Sequence, residues 1–168
     1  MNIDFRARRR VSAAAAALIL IATFAMAAAA GESEDFRFAR RLQRDGMFVA
    51  AAEEYLRFSE KYPSSSLRPG ALFSAGECWM QAGRADEALG AFEKMLADYP
   101  SDENVCRARF YRGTILKALK KYREAADELM IIPEASGSCP LEGRALLEAG
   151  ECLIAAGDAQ AAAVVLRR

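Results

Sequence analysis

The chain of 168 residues contains no histidine. Imidazole is therefore missing both as the base that activates a serine or cysteine nucleophile and as a metal ligand. The sequence also has no glycine-rich loop ending in Lys-Ser or Lys-Thr that would hold phosphates, and no two cysteines separated by two residues. These absences predict a protein that is not an enzyme and that uses no cofactor and no metal.

An excess of positive charge is also missing. The whole chain has 23 basic and 23 acidic residues; residues 1–30 hold four arginines and one aspartate, which leaves 19 basic and 22 acidic residues in 31–168. A nucleic-acid-binding protein needs a clustered positive face, so we predict no nucleic-acid partner. Four arginines, Arg37, Arg40, Arg41 and Arg44, cluster on the first predicted helix, and we interpret them as a solvated face.

Residues 1–30 differ in composition from the rest of the chain. Four arginines lie between residues 6 and 10, an uncharged stretch covers Val11–Ala30, and its end is rich in alanine. A positive start, an apolar stretch and a small-residue end are typical of a secretory signal peptide. We predict a signal peptide over 1–30, cleaved after Ala27 or Ala30, and export to the bacterial periplasm.

An uncleaved membrane anchor is the alternative explanation of this segment. The uncharged stretch, at 20 residues, is long enough to cross a bilayer, although its alanine-rich end suits a signal peptidase better. A retained segment would anchor the protein in the inner membrane, facing the periplasm. Membrane contact is expected in that case alone.

Residues 31–168 repeat with a period of 37 residues. Glycines, alanines and large apolar residues recur at this spacing: Gly76, Gly113 and Gly150; Ala51, Ala88, Ala125 and Ala162; Tyr55, Phe92, Leu129 and Leu166. A period of this size indicates a stack of small copies rather than one enclosed core. Stacks of this kind usually bind partners.

Each copy is predicted to be a pair of helices. From Leu72 to Trp79 the apolar and small residues have helical spacing, Gly83 ends that helix, and Pro100 stops the next one. In the third copy we expect Pro133 to cut the second helix short. The predicted units cover about 32–68, 69–105, 106–142 and 143–168.

This unit resembles the tetratricopeptide repeat, a helix-turn-helix motif with small residues at its eighth and twentieth positions. Gly76 and Ala88 match these two positions, and in the third unit Lys120 stands where the others have a turn glycine. The resemblance covers about residues 32–168. It implies an all-α fold, a right-handed solenoid of about four helical hairpins.

The unit length indicates a subclass of this family. A period of 37 residues, with Tyr-Pro closing the first two units, is similar to bacterial envelope repeat proteins such as the periplasmic protein of the Tol-Pal system and the lipoprotein of the β-barrel assembly machine. No cysteine directly follows the predicted signal peptide, as a lipoprotein would require; the first cysteine is Cys78. The resemblance therefore implies a setting in the cell envelope.

The resemblance also implies a partner-binding groove lined by the first helix of each unit. The groove positions carried over to this sequence are Phe73, Glu77, Met80, Arg107, Phe110, Thr114, Lys117, Arg144, Leu147 and Glu151. Apolar anchors beside a few charges suit a peptide or a helix. Packing between neighbouring first helices explains the apolar row of Phe36, Phe73, Phe110 and Leu147 equally well.

These observations predict a non-catalytic periplasmic adaptor or scaffold that binds a protein or peptide of a cell-envelope complex. Two other functions are compatible with the sequence: a membrane-anchored structural subunit, and an accessory subunit of an envelope enzyme acting in peptidoglycan or outer-membrane assembly. Self-association is an alternative use of the groove.

The four cysteines fall into two pairs. Cys78 and Cys152 occupy the same position two units apart, where the family favours a small residue, so we interpret both as small buried apolar groups. Cys106 begins the third unit, and Cys139 lies in the loop leading to the fourth. A disulfide between Cys106 and Cys139 and a pair of free thiols both remain open.

Mass spectrometry of the protein recovered from the bacterial envelope tests the N-terminal prediction. We expect the intact mass to lack the first 27 or 30 residues, because signal peptidases cleave after small residues. The mass of the full chain would support the membrane anchor instead.

Overall fold

The computed structural model describes residues 31–135 and 139–167, without the side chains of residues 133–135. The predicted signal peptide over 1–30 lies outside the described residues. Within them the regular structure is entirely helical, which confirms the expected all-α fold. The helices are α1 (31–44), α2 (Phe48–Lys61), α3 (Arg68–Gln81), α4 (Ala85–Asp98), α5 (Val105–Ala118), α6 (Tyr122–Ala135), α7 (Glu142–Ala155) and α8 (Ala159–Val165).

From α2 onward, each helix packs against the next helix in the sequence, so neighbours in the chain are neighbours in space. The helices α1, α3, α5 and α7 are the first helices of four successive hairpins, and the even-numbered helices are the second helices. The expected solenoid of about four hairpins is confirmed.

The turn inside the α3–α4 hairpin is a Schellman motif. The Gly83 N–H donates to the Met80 carbonyl over 3.0 Å, and the Arg84 N–H donates to the Trp79 carbonyl over 2.8 Å. Gly83 has φ +73°, a left-handed conformation that glycine adopts without steric cost. Lys120 makes the corresponding turn between α5 and α6 with φ +61°.

The expectation that Pro133 shortens the third unit's second helix is wrong, because α6 continues to Ala135. Proline lacks an N–H, so the helix loses the hydrogen bond to the Leu129 carbonyl. Pro133 stands only two residues before the end of α6, so the helix loses this one hydrogen bond and has little length left to disrupt. The cost therefore stays small enough for the helix to finish its last turn.

Three glycines inside first helices let a hairpin close. A Cβ atom on Gly76 would lie 2.5 Å from the Phe92 ring, and one on Gly113 would lie 2.5 Å from Leu129. Gly150 has the same relation to Leu166. Each large side chain stands 16 residues after its glycine, on the paired helix or, for Leu166, directly after its end, so the repeated sequence pattern is a repeated contact.

The buried core consists of two clusters that meet at α5, where this helix packs against α4. The first cluster runs from Ala39 to Ile115, and the second runs from Phe110 to Val165. At this junction α5 carries Tyr111 and Arg112. The equivalent residues are Ser74 and Ala75 in α3 and Glu148 and Ala149 in α7, and both alanines are fully buried. The bulkier pair leaves less helix-to-helix packing here than at the α2–α3 and α6–α7 junctions.

Alanine at Gly76 should destabilise the protein. Its Cβ would have to displace the buried Phe92 ring, at roughly 1–3 kcal/mol for overpacking, which outweighs the gain of about 1 kcal/mol in helix propensity. Urea unfolding of Gly76→Ala should show a lower midpoint. Gly90→Ala is the matched control: Gly90 lies inside α4 with no atom near the new Cβ, so this variant should gain about 1 kcal/mol. Equal shifts in the two variants would contradict the close-contact explanation.

Glycine at Lys120 should stabilise the protein. A side-chain-bearing residue in the left-handed region costs about 1–2 kcal/mol, and glycine recovers most of this despite its greater freedom in the unfolded chain. We expect Lys120→Gly to raise the free energy of unfolding by about 1 kcal/mol in urea titrations. Gly83→Ala, at the equivalent turn, should lower it by a similar amount, and a loss of stability in Lys120→Gly would refute the strain at this turn.

Candidate functional site

The side chains of neighbouring first helices meet on one surface, which we call the first-helix surface. From α5 to α3, Arg107 donates to the Glu77 carboxylate over 3.0 Å. From α5 to α7, Lys117 donates to the Glu151 carboxylate over 2.6 Å. The structure thus brings four of the predicted groove residues together as two ion pairs between adjacent units.

The first-helix surface extends to α1. The Tyr55 hydroxyl donates to the Gln43 side-chain oxygen over 2.7 Å, and burial raises the pKa of Tyr55 to about 12. Arg40 of α1 and Glu77 of α3 both act electrostatically on this hydroxyl. Arg40 and Glu77 therefore both lie on the side of the stack that carries the Tyr55 hydroxyl.

Two arginines cover two phenylalanines of the preceding unit. The Arg107 guanidinium lies 4.6 Å from the centre of the Phe73 ring, and the Arg144 guanidinium lies 4.9 Å from that of Phe110. Phe73 and Phe110 are 4% and 3% exposed, respectively. A partner on this surface would meet the arginines, with the phenylalanines beneath them.

The four side chains of the expected apolar row therefore differ in accessibility. Phe73 and Phe110 are buried, and Phe36 is partly buried against the rings of Tyr55 and Phe58. Leu147 is 54% exposed. Packing between units explains the inner part of the row, whereas Leu147 is available for contact.

The sequence contains a spacing that predicts which arginine covers which phenylalanine, and comparing groove positions alone does not reveal it. Each arginine stands 34 residues after the phenylalanine that it covers, and Lys117 stands 34 residues before Glu151. These pairs join one unit to the next. Comparing positions within a single unit overlooks them, because the partners come from different units.

The electrostatics of the two ion pairs differ. Burial raises the pKa of the Glu77 carboxyl, and Arg107 and a hydrogen bond from Tyr111 pull it in the opposite direction. The hydrogen bond with Glu151 raises the pKa of the Lys117 ammonium. Lys117 also lies 3.8 Å from Glu148, which in turn holds Arg144 at 3.2 Å. The surface over α5 and α7 is thus a connected network in which each cation has a nearby carboxylate.

Two other predicted groove residues, Thr114 and Met80, make contacts within the stack. The Thr114 hydroxyl donates to the Tyr111 carbonyl over 2.8 Å within α5. Met80 is partly buried and packs against the first core cluster. Both side chains are partly buried.

Tyr111 is not among the residues predicted from the sequence, yet it packs against both core clusters. Its ring lies 5.9 Å from that of Phe73 and 5.8 Å from that of Phe92. It also lies 6.3 Å from the Phe110 ring. These separations are favourable for aromatic pairs, so Tyr111 supplies packing at the junction where helix contact is thinnest.

The cysteines take two different environments. The structure joins Cys106 and Cys139 by a disulfide with Cα atoms 6.2 Å apart, inside the range of roughly 4.4–6.8 Å seen for such bonds. Cys78 and Cys152 are free and buried. Burial raises the pKa of the Cys78 thiol to about 12, which keeps it protonated and unreactive.

Over residues 31–135 and 139–167, no helix is long and apolar enough to cross a membrane. In the same ranges, no group of three cysteine, aspartate or glutamate side chains converges as metal ligands would.

Comparisons with known proteins find similarity to one repeat family over part of the chain. A family model described as tetratricopeptide repeat matches residues 36–103. The solved structure of MamA from Desulfovibrio magneticus RS-1 is 18% identical, with a TM-score of 0.66 over 81% of this chain and 72% of that chain. A tetratricopeptide repeat protein from Parabacteroides merdae is also 18% identical, with a TM-score of 0.67 over 80% of this chain and 50% of that chain.

A third structure, the repeats of a putative kinesin light chain from Podosopora anserina, is 17% identical, with a TM-score of 0.59 over 80% of this chain and 71% of that chain. At these identities the likeness shows a shared fold. No curated protein matches the sequence.

Thiol titration tests the disulfide. We expect two reactive thiols in the denatured, unreduced protein, contributed by Cys78 and Cys152, and four after reduction. Reduction should lower the free energy of unfolding by about 3–4 kcal/mol, because a closed loop limits the unfolded chain. Four thiols before reduction would show that the bond does not form in the cell.

Proposed function

We propose that this chain, which matches the tetratricopeptide repeat family over residues 36–103 and shares its scaffold fold, holds a partner protein or peptide on its first-helix surface within a complex of the bacterial cell envelope. It performs no catalysis in this role. The stack of hairpins is the rigid support, and the side chains of α1, α3, α5 and α7 make the contacts.

The observation that carries this proposal is the fixed arrangement of charged groups on the first-helix surface. Arg107 is held by both the Phe73 ring and the Glu77 carboxylate, and Lys117 is held by Glu151. Side chains already fixed before binding lose little conformational entropy when a partner arrives. They remain partly exposed, so they can still donate hydrogen bonds to that partner.

The sequence supports the cellular setting. The order of arginines, apolar stretch and small residues over 1–30 is that of an exported protein. A disulfide between Cys106 and Cys139 also suits an oxidising compartment such as the periplasm. We therefore place the protein in the periplasm, with anchorage in the inner membrane as the alternative if residues 1–30 are retained.

Photo-cross-linking in the native cell tests the proposal. Photoreactive residues would replace Gln81 and Ala118, which are exposed at equivalent ends of α3 and α5 and take no part in the ion pairs. We expect both positions to give the same dominant adduct with an envelope protein. Glu53 and Glu93, exposed on the second helices α2 and α4, serve as control positions and should not give that adduct.

The adduct pattern separates the alternatives. Adducts with a second copy of the chain would show that the surface serves self-association. The same adduct from all four positions, or none from Gln81 and Ala118, would overturn the first-helix surface as the binding site. Copurification of an envelope enzyme with the cross-linked partner would favour the accessory-subunit role.

A further inference from the structure

The positive charge of the first-helix surface is concentrated at the α1 end. Arg40 and Arg44 lie one helical turn apart on α1, and both are exposed. Among the residues that the structure describes, Arg40 has no carboxylate within ion-pair distance, and Arg44 has only its exposed neighbour Asp45, at 3.5 Å. This end of the surface is basic on a protein whose residues 31–168 carry a net charge of −3.

The cations farther along the surface are already neutralised within it. Glu77 pairs with Arg107, Glu151 with Lys117, and Glu148 with Arg144. An acidic group approaching α5 or α7 would have to compete with these carboxylates. Attraction of an acidic partner is therefore strongest at α1, where Arg40 has no paired carboxylate among the described residues and Arg44 has only the exposed Asp45.

The opposite end of the surface is apolar. Leu147 and Ile154 are seven residues apart on α7 and so lie on the same side of this helix. They are 54% and 58% exposed, respectively. Large apolar side chains exposed on one face of a helix are a common feature of contact surfaces.

We propose that the partner presents a segment that is acidic at one end and apolar at the other, and that it binds with its acidic end against Arg40 and Arg44 and its apolar end against Leu147 and Ile154. This inference rests on the proposed function and specifies the chemistry and orientation of the partner on the same surface. Charge attraction would fix the orientation, because the reverse placement sets the acidic end beside Glu148 and Glu151 and leaves Leu147 and Ile154 facing charges.

The distance between the two ends sets the length of the segment. Side-chain ion pairs join α3 to α5 and α5 to α7, so each step between first helices is about one helix diameter, roughly 10 Å, and the three steps from α1 to α7 cover roughly 30 Å. An extended chain advances about 3.3 Å per residue, so about eight or nine residues must separate the acidic group from the apolar group. A segment in which the two groups are adjacent cannot reach both ends.

Fluorescence anisotropy tests this proposal by measuring the binding of a designed peptide to the purified protein, expressed from the full-length gene. The probe is a fluorescein-labelled peptide of about 14 residues, with glutamates at one end, leucines at the other and a Gly-Ser spacer long enough for this span. We expect saturable binding that weakens as salt is added, because exposed charges are screened. A peptide with lysine in place of glutamate, and one without the spacer, should bind roughly tenfold more weakly.

Paired variants locate the two ends of the peptide. Arg40→Glu with Arg44→Glu should weaken binding roughly tenfold, and so should Leu147→Asn with Ile154→Asn. Lys94→Glu on α4 is the charge control, and Val164→Asn on α8 is the apolar control, since Val164 has the same exposure as Ile154, 58%. Neither control should change the affinity.

A peptide without leucines should remain sensitive to the arginine variants and lose its sensitivity to the α7 variant. No saturable binding, equal binding of the lysine peptide, or equal effects of variants and controls would overturn the inference. The cross-linking from Gln81 and Ala118 does not depend on this probe. A dominant adduct there together with a negative peptide result would leave the scaffold role standing and refute this partner chemistry.

Discussion

The structure depends on a close helix–helix contact that is possible only where one residue, a glycine, has no side chain. In three of the four hairpins a glycine of the first helix faces a large apolar side chain in the second helix or directly after it, as Gly76 faces Phe92. Glycine inside a helix costs about 1 kcal/mol relative to alanine. The close approach of the two helices compensates for that cost, and the same approach repeated at 37-residue intervals gives each hairpin a similar shape.

A second set of contacts turns the row of hairpins into a continuous surface. Arg107 and Arg144 each lie over a phenylalanine of the preceding unit, and Lys117 reaches forward to Glu151. These side chains both seal the core between units and supply the charges of the surface. The packing of the stack and its capacity to bind a partner are therefore not separable at these positions.

The fold could be predicted from the sequence because it depends on local, repeated patterns: helical spacing, turn glycines and small residues at fixed positions. The accessibility of the surface could not. Phe73 and Leu147 occupy equivalent positions, yet Phe73 is buried because Arg107 follows in the next unit, and the described structure has no such cover over Leu147. The length of α6 escaped prediction for a related reason, since the effect of Pro133 depends on how much helix remains after it.

The thin junction between α4 and α5 has a consequence for the cooperativity of folding. In a stack of repeats, stability is approximately a sum of terms for single units and for the interfaces between neighbours. The weakest interface here divides the chain into two pairs of units, and the Cys106–Cys139 disulfide strengthens the second pair alone. The stack should therefore behave as two cooperative blocks joined through Tyr111, and the first block should open to solvent while the second is still intact.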